Sequence, residues 1–192
     1  MRQVGTKSGF TLVELLTSLI IFGVVMTALL SVWSTLWKSQ NRANNLAAAQ
    51  MGSKEIVYKL ANAFRDATMC ASTDSGCTVG APIQSASANS CTVYSRNSSN
   101  ALVQTTYSVD GSGNFKMTTG GTTLVLSTGA SMTLTYYSST TYNATSMTTF
   151  SPTSSTAYQL IAVQIAVTVT QGSIADTYTT LVRLNNGPGT AP

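Results

Sequence analysis

Hydrophobic and polar positions fall into three successive regimes along the chain. The first is a polar start, residues 1–9, followed by an apolar run. From Leu15 through Trp37 there are 23 consecutive residues without formal charge. A helix needs ~20 mostly apolar residues to cross a bilayer core, so this run predicts a transmembrane helix. One carboxylate, Glu14, stands at its head. The second regime is amphipathic. Leu46, Ala49, Ser53, Ile56, Leu60, Ala63 and Ala67 recur at steps of three and four, and Val57 and Phe64 widen the stripe. Glu55 and Lys59 form a favourable i, i+4 pair on the other side. No proline occurs between Phe10 and Thr68. The pattern therefore predicts one unbroken helix to about Met69-Cys70, its 46–67 stripe lying on the domain's own sheet.

In the third regime the period falls to two. Residues 71–90 read as a loop, broken by Gly76, Gly80 and Pro82. Strands are predicted at 91–96, 101–109, 114–118, 122–127, 131–138, 157–170 and 176–184. Turns are predicted at 110–113, at Gly120-Gly121, at 127–130 and at Gln171-Gly172-Ser173. The apolar, β-branched stretch 160–169 suits a central strand. Between strands, the uncharged segment 139–156, with Pro152, reads as a variable surface loop. The fold class is α+β: a long N-terminal helix, half transmembrane and half amphipathic, packed on an antiparallel β-sheet domain.

Composition sharpens the picture of the β-rich part. Charged residues make up only 8% of the chain, against ~25% in soluble domains. Serine (25) and threonine (31) take their place. A hydroxyl surface with threonine-rich strands suits an extracellular β-domain. The formal charge is +4, too small to argue for nucleic acid on charge alone. Three cysteines, Cys70, Cys77 and Cys91, cluster where this part begins. Outside the cytoplasm such a cluster favours one disulfide and one remaining thiol, with the pairing open among three choices. There is no histidine, which excludes Ser-His-Asp and Cys-His catalysis and leaves the cysteine spacing without a zinc pattern. No P-loop, GxSxG or HExxH motif is present. The stretch from Asp110 to Asn114 has too few carboxylates for a calcium loop and reads as a hairpin turn. Neither an enzyme nor a cofactor or metal site is expected.

Glu14 is the residue these patterns leave unexplained, since a carboxylate in hydrocarbon is costly. A secretory signal peptide, cut near Ala47-Ala48-Ala49, fails on the length of the apolar run. Lys7-Ser8-Gly9-Phe10-Thr11-Leu12-Val13-Glu14-Leu15 resembles the class III signal of type IV pilins and type II secretion pseudopilins. The resemblance implies cleavage by prepilin peptidase between Gly9 and Phe10, with N-methylation of the new N-terminus, Phe10. It matches Glu14 to the family's assembly glutamate, which pairs with the N-terminal amine of an adjacent subunit. It also divides the chain into a leader, 1–9; a transmembrane and assembly helix, 10–37; an amphipathic helix, 38–69; and a β-strand head, 70–192. The implied partners are prepilin peptidase, other major and minor pilins, the assembly platform in the inner membrane, and lipid before assembly. The implied location is the bacterial inner membrane, with the head outside the cytoplasm, and then the pilus or cell surface.

The head itself resembles PilW-type minor pilins and J-type pseudopilins, through its hairpins, the Tyr136-Tyr137 strand and the closing residues 181–186. Where major pilins of this family commonly carry a proline, this chain has Ser31. The resemblance thus implies a minor pilin that helps start assembly near the pilus tip, with roles in adhesion, motility or DNA uptake. Its alternatives are a type II secretion pseudopilin and an anchored module binding a surface or nucleic acid through loop 139–156.

Overall fold

The computed structural model describes residues 11–71, 74, 77, 80–138, 142–143, 146–147, 149, 151–152 and 160–184. Helix α1, Leu12–Arg65, runs 54 residues without a break, as expected of a stretch free of proline. The chain forms two compact units, Met1–Asn44 and Asn45–Pro192. In the first unit every described residue is exposed. In the second, α1 buries Ala49, Ser53, Ile56, Val57, Leu60, Ala61 and Phe64. The 46–67 stripe is therefore present, with two changes at its margins. Leu46 is exposed, and Ala61 replaces Ala63 among the buried positions. The expected Glu55–Lys59 pair forms at 3.0 Å.

Among the described residues ten strands follow α1, and every pairing is antiparallel. One sheet has the order β1 (Ile83–Ala86), β2 (Ser90–Arg96), β3 (Leu102–Val109), β4 (Phe115–Thr119) and β5 (Thr122–Ser127). A second places β9 (Leu160–Gln171) between β10 (Ile174–Arg183) and β6 (Ala130–Ser138). A short hairpin joins β7 (Tyr142–Asn143) to β8 (Ser146–Met147). The expected central strand is thus β9. From Val163 to Val169 its alternate residues Val163, Ile165, Val167 and Val169 are fully buried.

These four side chains share one core with Ile56, Leu60 and Phe64 of α1, with Met132 and Leu134 of β6, and with Ile83, Val93 and Phe115 of the larger sheet. Fully burying a side chain of this size contributes ~1.5–3 kcal/mol, so the α1 stripe and β9 anchor the unit. Tyr136 enters the same core with its hydroxyl donating to the Ser87 carbonyl at 3.0 Å, which gives that hydroxyl its partner.

The structure corrects the sequence reading at three places. Helix α1 stops at Arg65, about one turn before the expected end. The reason is competition for backbone groups: the Thr68 N–H donates to the Tyr94 carbonyl and the Cys70 N–H to the Ala81 carbonyl. Within the expected 71–90 loop, β1 pairs with β2 through a bulge between Ile83 and Ser85. Its four residues, Ile-Gln-Ser-Ala, carry too little alternation to announce a strand. The expected 139–156 loop contains β7 and β8, and most of its remainder lies outside the described residues. The expected 157–170 strand is present from Leu160, the first of its described residues, and positions 157–159 lie outside them.

Of the three cysteine pairings, Cys70–Cys77 forms, with Cα atoms 6.3 Å apart. Cys91 is a free buried thiol on β2. Burial pushes its pKa from 9.0 to about 12, because the thiolate loses its hydration. Folding therefore favours the protonated thiol. Its contribution is complete below the unfolded thiol's pKa and is lost as pH rises above 9. Native protein at pH 8 should resist alkylation by iodoacetamide, and one equivalent should react after denaturation without reductant. Rapid native labelling would contradict the burial.

The turn between β5 and β6 gives a stability test. Gly129 has φ +67°, and a Cβ there would sit 2.5 Å from the Thr170 carbonyl oxygen. That same β6–β9 junction carries the bond from the Thr170 N–H to the Gly129 carbonyl at 2.8 Å. Gly129→Ala should cost roughly 3 kcal/mol, from left-handed strain of ~1–2 kcal/mol plus displaced backbone. Gly121, at φ +82° but facing open space, isolates the strain alone, so Gly121→Ala should cost about 1 kcal/mol. Urea unfolding of the detergent-solubilised chain measures both; equal losses would remove the contact argument.

Candidate functional site

The start of α1 is built by local hydrogen bonding. Thr11 precedes the helix, and its Oγ1 accepts from the Glu14 N–H at 3.3 Å. Its carbonyl takes the N–H groups of Glu14 and Leu15 at 3.1 and 3.2 Å. Thr11-Leu12-Val13-Glu14 thus has the form of a capping box, S/T-x-x-E, with Thr11 as the N-cap. The T-x-x-E spacing signals this role for Thr11, which the sequence pattern above did not assign. Glu14 also lies where the helix dipole favours negative charge. Its carboxylate makes no hydrogen bond or ion pair among the described residues, so the cap uses its backbone and leaves its charge available.

Around Glu14 the helix is apolar on every side. Leu12, Val13, Leu15, Leu16, Leu19 and Ile20 are all more than half exposed. A helix hydrophobic all round suits a lipid or protein surround rather than water. It is also the one helix among the described residues long and apolar enough to cross a membrane, with mean hydropathy 2.4 in its most apolar stretch. Its few hydroxyls are satisfied within the helix. Ser18 donates to the Glu14 carbonyl at 2.7 Å, Thr27 to Val24 at 2.8 Å, Ser31 to Ala28 at 2.8 Å and Thr35 to Ser31 at 2.9 Å. Such back-bonding removes the cost of bare donors where water is absent. Trp33 and Trp37 lie one turn apart just before Lys38, the order of groups that suits a membrane–water boundary.

The other residues singled out by sequence take structural places. The Cys70–Cys77 loop is held by Asp74, whose carboxylate accepts from the Ala71 N–H at 2.8 Å and pairs with Arg96 at 2.9 Å. Asp110 is saturated by its own turn. Lys116 pairs with it at 2.7 Å, and it accepts from the N–H groups of Asn114 and Ser112 at 2.9 Å. The Lys116 ammonium, followed by the Asn114 donors, holds the Asp110 carboxyl well below its usual range. That is the expected hairpin turn. Among the described residues no cluster of three metal-ligating side chains occurs. Gly9 and Phe10 lie outside the described residues, immediately before Thr11.

No curated protein and no solved structure matches the chain. A family model does match, over residues 5–30. It spans Gly9, Phe10, the Thr11 cap, Glu14 and the first part of the apolar surface of α1, so chemistry and comparison converge on one segment. Residues 5–30 match the model of the prokaryotic N-terminal methylation motif, a match that agrees with the resemblance of this segment to the signal of type IV pilins and pseudopilins.

Proposed function

We propose that the protein is a minor pilin, a structural subunit that helps start assembly near the tip of a type IV pilus. The observation that carries the reading is the methylation motif at the head of a helix whose first half is apolar on every side. In this reading residues 1–9 are a leader and prepilin peptidase cuts between Gly9 and Phe10. The new amine of Phe10 is methylated. Residues 10–37 hold the subunit in the inner membrane and later enter the filament core, residues 38–69 carry the helix onto the head, and 70–192 form the head outside the cytoplasm. Ser31 supports a minor role. It stands where major pilins of the resembled family commonly have a proline, and here the helix runs through it with an ordinary backbone bond from its hydroxyl.

The assembly step follows from electrostatics. A lone carboxylate in a low-dielectric surround costs several kcal/mol, even after relaxation, unless it is protonated or paired. Cleavage creates a cation on Phe10, near the depth of Glu14 in a neighbouring subunit. Pairing the two neutralises both and fixes the register of addition. The partners are then other pilins and the membrane assembly platform, and the work is structural rather than catalytic.

Mass spectrometry of the mature N-terminus tests processing. N-methylated Phe10 is expected; an intact leader, or a cut near Ala49, would overturn the pilin reading. Glu14 is tested by two substitutions. Glu14→Ala and Glu14→Gln should both remain in the membrane yet fall at least tenfold in sheared pili, read by immunoblot. Glutamine keeps the size and polarity of a capping box. Normal incorporation of Glu14→Gln would therefore show that the charge is not what matters.

A further inference from the structure

We propose that Lys38 and Arg42, at the far end of the apolar run, bind the phosphate of an anionic phospholipid headgroup. The inference rests on the membrane-held stage of the proposed function and deepens it by naming the lipid. All of its residues lie in the first unit, Met1–Asn44.

Depth is the first argument. From Leu15 to Trp37 the helix rises about 33 Å, close to the ~30 Å of a bilayer's hydrocarbon core. Trp33 and Trp37, 67% and 65% exposed, close that span where an interfacial aromatic belt belongs. Lys38 and Arg42 come next, both exposed and four positions apart on one face of α1. About 6 Å of rise separates them, within the ~5–8 Å depth of a headgroup layer.

Charge is the second, and it is independent of depth. Neither cation makes a hydrogen bond or ion pair among the described residues. No acid occurs between Glu14 and Glu55, and Glu55 is engaged by Lys59 at 3.0 Å. In the proposed orientation the pair lies outside the cytoplasm, where basic residues beside a span are normally depleted. Lys38 and Arg42 thus offset the orienting charge of Arg2 and Lys7 in the leader. An anion in the outer leaflet gives them a use there.

The neighbouring side chains select among lipids. Gln40, Asn41 and Asn44 surround Trp37 in a shallow hollow of about 170 Å³ beside the two cations. Their amides can bond phosphate oxygens and hydroxyls, and a guanidinium holds phosphate through paired donors. Phosphatidylglycerol brings a net negative charge and two hydroxyls. Phosphatidylcholine brings a cation together with its phosphate, which the pair repels.

The test reconstitutes the full chain in phosphatidylcholine vesicles containing a fixed fraction of acyl-brominated lipid, either phosphatidylglycerol or phosphatidylcholine. The chain's two tryptophans, Trp33 and Trp37, immediately precede the pair, so bromine quenching of their emission reports the lipid beside it. A preference of roughly threefold or more for phosphatidylglycerol is expected. Lys38→Gln and Arg42→Gln together should bring the two lipids to parity, while Arg42→Lys should keep most of the preference. Lys54→Gln removes the same charge farther along α1 and should change nothing; an equal loss there would reduce the effect to net charge and overturn the site. Quenching by neither lipid would overturn the membrane-held reading itself. Strong but equal quenching by both would leave that reading standing and overturn this one. Loss of the preference in inorganic phosphate, but not in chloride of equal ionic strength, would assign the pair to a soluble anion and also overturn it.

Discussion

One uninterrupted helix has to satisfy two different surroundings, and the sequence of the whole chain is fitted to that constraint. Between Leu12 and Trp37 the α1 surface is apolar in every direction, so any surround but water stabilises it. Between Ala49 and Phe64 only a stripe is buried, against strands of the second unit. Backbone bonding is the same throughout; side-chain distribution alone changes. A break within the apolar half would leave carbonyls and N–H groups unsatisfied where a lipid surround offers no water.

The hydroxyl-rich composition follows the same logic in two forms. In the apolar half of α1, serine and threonine return their hydrogen bonds to the preceding turn and cost little where water is scarce. In the larger sheet they pair across strands. Thr92 stands opposite Thr106, Thr106 opposite Thr118, and Thr118 opposite Thr123. Hydroxyl pairs close at 2.9 Å between the first two and between the last two, and Ser85 extends the row to β1 at 3.1 Å. Cross-strand pairs of this kind contribute ~0.2–1 kcal/mol each. They are one way in which a sheet with few charges keeps its register without ion pairs.

Periodicity carried most of this into view. The apolar run, the 49–64 stripe and the alternation of β9 each reflect a burial pattern repeated often enough to outweigh local exceptions. What escaped was set by single long-range contacts. The helix end depended on the Tyr94 and Ala81 carbonyls, and β1 on pairing with β2. The disulfide depended on which two thiols the fold brings near, and Cys91 was removed from the choice by facing the core. The Thr11 cap was a local signal, readable in T-x-x-E spacing. At the amino-terminal site, the sequence carried the chemistry of Glu14, while the hydrogen bonding that leaves its carboxylate available is a property of the fold.

That availability stands out against the treatment of the chain's other acids. Glu55, Asp74 and Asp110 each meet a cation, at 3.0, 2.9 and 2.7 Å. Asp176 accepts from a buried serine. Asp66 is exposed just past the end of α1 in the hydroxyl-rich unit, and in water an unpaired charge costs little. Among the described residues, Glu14 alone combines a carboxylate without a partner with apolar neighbours on every side. A capping role does not require a charge, since glutamine serves a capping box as well. Helix-dipole attraction is worth ~0.3–1 kcal/mol at an exposed end, less than the several kcal/mol of desolvation that a lipid or packed surround imposes. Among the described residues nothing offsets that cost, which is why the proposed pairing with a counter-charge from another chain, rather than protonation alone, would give the residue a use.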